Sequence, residues 1–423
     1  MFNVSPTPEP SPQKDISQKA RDLAEAFEIL THEAQGQLGP AIQMAFFIGD
    51  GLQRAATDTL FNAFMPQTWS PSRLLSTATG FVHQSARLSR LLVSGEAHLA
   101  WQELTNKVEV FALVKNLSSI LKLPKGTFIP LDQLVEKAYR LSPYKALWAI
   151  EGVGHYYADQ HWEAYGPPHN LLVETNAPVP KKSLLMLHAG MGLCFADRLI
   201  GNLTTESTPQ EVDLVLERFV TLCKENSRPG YMGAALESLG IVTRDFYPDL
   251  FTIITQRFRI VAPEYAGFLW HGIGRAIYFS RKFFLPFLFS MWSDVSVEAT
   301  TEEERLNAMA GLTWAFSLVN MCQASIVETA VRSYADGSAL AEAFSNGVCS
   351  CVIMRNETTP DEPFVSAFSA HRPTETGVAK AWERLIAAPI EAGLQRYYPV
   401  LQKHHGLDQV FRYQNLAELT VRM

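Results

Sequence analysis

Three features of this sequence predict an all-α protein, a helical-repeat or α/α toroid-like array of helix pairs with an N-terminal helical region. A proline precedes a Glu or His by eight residues four times, at Pro143 and Glu151, Pro180 and His188, Pro229 and Glu237, and Pro263 and His271. Each of these polar residues is followed by one or two glycines: Gly152 and Gly154, Gly190 and Gly192, Gly240, then Gly272 and Gly274. The intervals between the polar residues, 37, 49 and 34 positions, suit two helices and two connections per unit. Proline fits the first turn of a helix, where its missing N–H is not needed. The spacing therefore sets four polar side chains at one depth, roughly 12 Å from each helix start.

Composition narrows the class of protein. A chain of 423 residues with 47% hydrophobic and 11% aromatic content can bury a large core. A net charge of -7 argues against a nucleic-acid groove. Five cysteines without a CxxC pair argue against a disulfide framework and point to reduced thiols in the cytoplasm. The apolar run Phe283 to Trp292 follows Arg281 and Lys282 and is too short for a membrane span.

Residues 1–16, rich in proline and serine, read as a disordered tail. Residues 17–125 read as an N-terminal helical region, with helices expected at Ser17–Thr31, Gly39–Ala63 and Ser72–Thr105. In the last of these Arg73, Arg87 and Arg90 interleave with leucines; this reads as the solvated face of a core helix, with peripheral membrane contact as the alternative. Val108 to Leu121 is open between strand and helix. The helical-repeat body spans 126–423. Leu131 to Arg140 is amphipathic, Ser142 with Pro143 opens the helix through Glu151, and Thr208, Pro209 and Glu211 open another. Ala308–Val319 and Leu340–Val352 keep the glycine-rich texture without the Glu or His. Arg355 to Pro373 reads as a long loop, and Val378–Leu394 as a last helix before His404 and His405.

Mid-helix glycine costs about 1 kcal/mol relative to alanine, so repeated glycines ask for close approach of a neighbouring helix or a ligand. Two readings of the adjacent Glu151, His188, Glu237 and His271 stand side by side. In one they form a buried network that locks helix register. In the other they converge on a cavity as acid and base groups, or as ligands of a first-row metal. No tight ligand spacing such as HExxH accompanies them, which argues against the metal, and no cofactor is identified. Arg275, at i+4 from His271, and Arg244, at i+7 from Glu237, are candidates to neutralise the carboxylates or grip an anion. His155, at i+4 from Glu151, and Tyr278 complete the candidate substrate contacts. Asp245 and Asp249 have a DxxxD spacing that Pro248 interrupts. Cys349 and Cys351 read as buried thiols.

The succession Glu151-Gly-Val-Gly, Leu187-His-Ala-Gly-Met-Gly, Gly230-Tyr-Met-Gly through Glu237, and His271-Gly-Ile-Gly-Arg-Ala-Ile-Tyr-Phe resembles a bacterial family associated with enediyne polyketide biosynthetic clusters. The likeness covers roughly Leu131 to Val352. It departs at His271, where an amide is expected before the last Gly-x-Gly-Arg. It implies cytoplasmic work near secondary-metabolite assembly and carries over no catalytic residues. The expected function is that of an enzyme acting on a large apolar intermediate, a polyene or isoprenoid. The alternative is a non-catalytic helical binder or scaffold for such a ligand or a biosynthetic protein partner.

Overall fold

The computed structural model describes residues 117–124, 128–173, 178–279, 291–332, 339–360 and 362–423, with single positions between Leu99 and Leu113. All of them belong to one compact unit, Ala56–Met423. The expected tail, the helices expected at 17–31, 39–63 and most of 72–105, and most of the apolar run 283–292 lie outside the described residues.

Every regular element among the described residues is helical. In chain order these are α1 (Leu131–Tyr139), α2 (Pro143–Tyr165), α3 (Leu184–Ile200), α4 (Pro209–Asn226), α5 (Met232–Phe246), α6 (Phe251–Val261) and α7 (Ala266–Phe279). Next come α8 (Met291–Glu298), α9 (Glu302–Asn320), α10 (Ala324–Val331), α11 (Ala339–Thr358) and α12 (Pro363–Ala370). A long helix α13 runs from Thr376 to Lys403 through two π-helical stretches, Glu383–Ala387 and Gly393–Tyr397. A 3-10 turn, Leu407–Phe411, and α14 (Leu416–Arg422) end the chain.

The helix starts follow local chemistry. Thr208 and Glu211 form a reciprocal capping box on α4, and Thr301 with Glu304 repeats it on α9. Pro143 is the first residue of α2, whereas Pro263 opens a 3-10 turn ahead of α7 and Pro180 precedes one ahead of α3. The segment expected as a loop, Arg355 to Pro373, is corrected: α11 continues to Thr358, and Pro363 starts α12. Val365 and Phe368, three apart on one helical face, are buried, and this contact sets the helix despite the turn-rich composition around it. Described positions within Val108–Leu121 are helical up to Ile120, including a short helix Leu117–Ile120, and Leu121 is in a turn.

Six helices, α2, α3, α5, α7, α9 and α11, stack side by side in that order, with α1, α4, α6, α8, α10 and α13 laid against them. Each contact in the stack is made backbone to backbone. A Cβ on Gly154 would overlap the carbonyl of Leu187, and one on Gly190 the carbonyl of Glu151. Gly240 meets the carbonyl of Leu269 and Gly272 that of Glu237. Gly274 meets Ala308 and Gly311 meets His271 in the same way. Between α3 and α5 the partner of Gly192 is Ser238, whose Oγ donates to the Ala189 carbonyl at 2.8 Å. In every pair the small residue sits over the carbonyl three residues before its opposite number. Two positions along an α-helix are about 200° of rotation, so a Gly-x-Gly gives one bare side to each neighbour.

Neighbours in the stack run the same way: Arg198 near the end of α3 bonds Asp159 near the end of α2 at 2.6 Å, and Arg244 near the end of α5 reaches the Ala276 carbonyl of α7 at 3.4 Å. Across the stack, Tyr144, at the start of α2, donates to the carbonyl of Val319, near the end of α9, at 3.0 Å. Arg355 of α11 reaches the Tyr144 carbonyl, and Tyr139 reaches that of Thr358. The array therefore winds back on itself. Among the described residues one helical stretch, Lys181–Ile200, has the length and hydropathy to cross a membrane, but most of it is buried inside the protein.

A methyl group at Gly272 has no room against the Glu237 carbonyl, whereas Gly377 in α13 meets nothing within 4 Å. Gly272→Ala is expected to lose about 3 kcal/mol or more in urea denaturation, the upper range for overpacking. Gly377→Ala is expected to change stability by less than about 1 kcal/mol. Equal effects of the two substitutions would disprove backbone contact as the basis of the array.

Candidate functional site

The stacking geometry fixes which side chains share a level. Counting from the first small residue of each pair, Glu151 on α2, Ala189 on α3, Glu237 on α5, His271 on α7 and Ala310 on α9 are equivalent. Arg275 and Trp314, one turn further along, are likewise equivalent. Across the stack the polar side chains of α2, α5 and α7 meet.

His271 Nδ1 lies 2.5 Å from Glu237 Oε1, and Arg275 Nη1 donates to Glu237 Oε2 at 2.6 Å. The other end of the guanidinium, Nη2, donates to Glu151 Oε1 at 3.1 Å. One arginine thus ties α7 to α5 and α2. No member of this group is more than 5% exposed. The Arg275 guanidinium lies 4.4 Å over the Trp314 ring, and the His271 ring is edge-on to both Trp314 and Phe411.

The charges are unequally compensated. Burial pulls the guanidinium of Arg275 down, but Glu237 and Glu151 outweigh it and hold it above its usual value. Burial pushes the Glu151 carboxyl up, against the pull of Arg275, and the neighbouring Glu237 adds to the rise. With both oxygens of Glu237 accepting, His271 donates from Nδ1, which leaves Nε2 as the basic nitrogen. That Nε2 is buried and has no hydrogen-bond partner, as is Nε of Arg275.

The remaining candidate residues lie elsewhere. His188 is one residue before the register position Ala189, a rotation of about 100°. Its Nδ1 donates to the Leu184 carbonyl at 2.7 Å, its Nε2 accepts from the backbone N–H of Arg228 at 3.2 Å, and its ring stacks on Tyr231. Burial lowers its pKa to about 4. His155 is partly buried beside Asp159, Asp197 and Arg198, and burial lowers its pKa. Arg244 grips Glu298 with Nε and Nη2, at 2.8 and 2.7 Å, and so fastens α8 to α5. Tyr278 belongs to a second buried network: its hydroxyl donates to Glu103 at 2.8 Å and accepts from Asn320 at 2.9 Å, with Lys107 over its ring and paired to Glu103. Cys349 and Cys351 are buried free thiols, and burial raises both.

Sequence reasoning passed over Trp314 and Phe411. Trp314 was accessible to it, being four residues after Ala310 as Arg275 is four after His271. Phe411 was not, since the 3-10 turn that carries it packs on α5, α7 and α11 from far along the chain. That turn is pinned where Asp408 Oδ2 accepts from the Gly233 N–H at 3.0 Å. Among the described residues no group of three or more His, Cys, Asp or Glu side chains could hold a metal ion. No known protein family, curated protein or solved structure matches the chain.

Two measurements test this electrostatic picture. Arg275→Met leaves two carboxylates facing each other without their cation, and is expected to cost about 3–5 kcal/mol in chemical denaturation; a fully stable variant would show that the cluster carries no load. For His188 the folded-state pKa lies below the unfolded value, so the unfolded chain takes up the proton first. Its contribution is complete above pH 6.5 and is lost as pH falls towards 4, by up to about 1.4 kcal/mol per pH unit. His188→Gln is expected to remove that much slope from stability measured between pH 7 and 4.5; an unchanged slope would mean that the imidazole titrates normally.

Proposed function

We propose that Glu237 and His271 act as an acid–base dyad on a large apolar molecule, of the polyene or isoprenoid class, in cytoplasmic secondary metabolism. The observation that carries the reading is His271 Nε2, a basic nitrogen without a protein partner, buried against the rings of Trp314 and Phe411. When Nε2 takes a proton, the Nδ1–H bond to Glu237 stabilises the imidazolium that forms, and Arg275 donates to the other oxygen of Glu237. The aromatic surroundings favour an apolar ligand. The metabolic setting rests on the family resemblance, and the five free cysteines are compatible with a reducing compartment.

A second reading has its own support. Arg275 joins three helices through nearly fully buried carboxylates, as a structural clamp in a non-catalytic binder or scaffold would. Such a protein would hold the apolar molecule, or a biosynthetic partner, without reacting with it.

Proton exchange separates the two. Incubation with β-ionone, an apolar isoprenoid enone, in D₂O is expected to incorporate deuterium with the wild-type chain, and His271→Phe is expected to lower the rate by about 100-fold or more. Deuterium incorporation that survives in a folded His271→Phe protein would eliminate the dyad. Binding of β-ionone without exchange, together with loss of stability in His271→Phe, would favour the scaffold.

A further inference from the structure

A second buried arginine contrasts with Arg275. Arg355, near the end of α11, is 1% exposed, yet its Nε and Nη2 meet no hydrogen-bond partner. Its one hydrogen bond is from Nη1 to the Tyr144 carbonyl, at 3.4 Å. The faces of the guanidinium are used: Tyr144 lies 5.3 Å from it and Phe364 4.7 Å. Elsewhere in the protein the Nε and Nη2 pair is the fork that holds a carboxylate, in Arg244 on Glu298 and in Arg257 on Asp213. In Arg355 the same fork has no hydrogen-bond partner among the described residues; Cys351, Cys322 and Glu362 act on the guanidinium only through space, and burial outweighs them and lowers its pKa to about 10.

The residue adjoins a cleft. A depression of about 420 Å³, within the range of small-ligand sites, is lined by Gln102, Cys322, Gln323, Ser325, Phe364 and Phe368 among others. Phe364, which stacks on the guanidinium, is one wall of it. Cys322, another wall, is close enough for Arg355 to lower its pKa against the rise caused by burial. His371, also at the cleft, is already engaged by Glu328 at 3.0 Å and packs on Trp382, so it does not compete as the anion contact. The cleft shares no lining residue with the Glu237–His271 group.

We infer that this cleft binds a small organic carboxylate with an apolar body, the carboxylate seated on the Nε–Nη2 fork of Arg355 and the body against Phe364 and Phe368. Both nitrogens are closed off from solvent, so entry requires rotation of the Phe364 side chain. The polar side chains of Gln102, Gln323 and Ser325 supply the rim. The inference stands on residues apart from the proposed acid–base dyad and does not depend on it.

The full chain titrated calorimetrically with sodium octanoate tests this, with octan-1-ol as the uncharged control. Octanoate is expected to bind saturably, at least tenfold more tightly than octanol, and to slow alkylation of Cys322 by iodoacetamide. Arg355→Lys, which keeps the charge and removes the fork, is expected to weaken octanoate binding at least tenfold with little change for octanol. Arg355→Met is expected to fold, since it replaces an unpaired buried cation by an apolar chain, and to abolish the preference for octanoate; should it not fold, the lysine variant and Cys322 protection in the wild type decide. No saturable octanoate binding, equal affinity for octanol, or undiminished affinity in Arg355→Lys would each overturn the assignment.

Discussion

Close backbone contact between successive helices is the constraint on which the rest of this structure depends. With glycine or serine at the crossing, one helix can rest on the carbonyl row of the next. Side chains on the faces between crossings are then forced to interdigitate across a narrow interior. An arginine of ordinary length spans it: Arg275 leaves α7 and reaches carboxylates on α5 and α2. A larger residue at the crossings would separate the helices and leave those carboxylates buried without a cation, the costly half of an ion pair. The glycines and the polar cluster are therefore two parts of one solution, and neither is stable without the other.

How far this was legible in the sequence depends on which residue is used as the ruler. The all-α class followed from proline, glycine and apolar spacing; α2 and α4 begin where Ser142–Pro143 and Thr208–Pro209 indicate, and α1 at the start of its amphipathic run. Counting eight residues from proline selected Glu151, Glu237 and His271, which the array does bring to one level. It also selected His188, which points away. Pro143 and Pro263 are the first residues of a helix and of a 3-10 turn, but Pro180 stands one residue before its turn, so there the count of eight falls one short of the register position Ala189. Glycine is the better ruler, because it marks the contact itself: the residue before the first small position is Glu151, Ala189, Glu237 or His271. An error of one residue turns a side chain through about 100°, enough to move His188 from the interior to the Leu184 and Arg228 backbone.

Other features were not legible for a different reason. That α2 meets α7 through Glu151 and α9 through Tyr144 is set by the whole array of contacts rather than by a local pattern. Consequently the pairing of Arg275 with Glu151, 124 positions apart, has no sequence signature. The same holds for Phe411, delivered by a C-terminal turn, and for Arg355, which looks like one more charge in a segment of turn-like composition. The stretch after it becomes α12 because Val365 and Phe368 find a hydrophobic surface to cover, information that exists only once α11 and α13 are in place.

The two buried arginines show how burial alone misleads about purpose. Arg275 and Arg355 are each nearly inaccessible and each stack on aromatic rings. Carboxylates on two helices surround the first, and its charge is reinforced. Burial dominates for the second, and its charge is weakened. A protein selected only for stability has no reason to keep a cation in the second environment, since an apolar side chain of similar length would fill the space without the desolvation penalty. The difference in partners, rather than in depth, is what separates an arginine that holds the array together from one whose Nε and Nη2 meet no hydrogen-bond partner among the described residues.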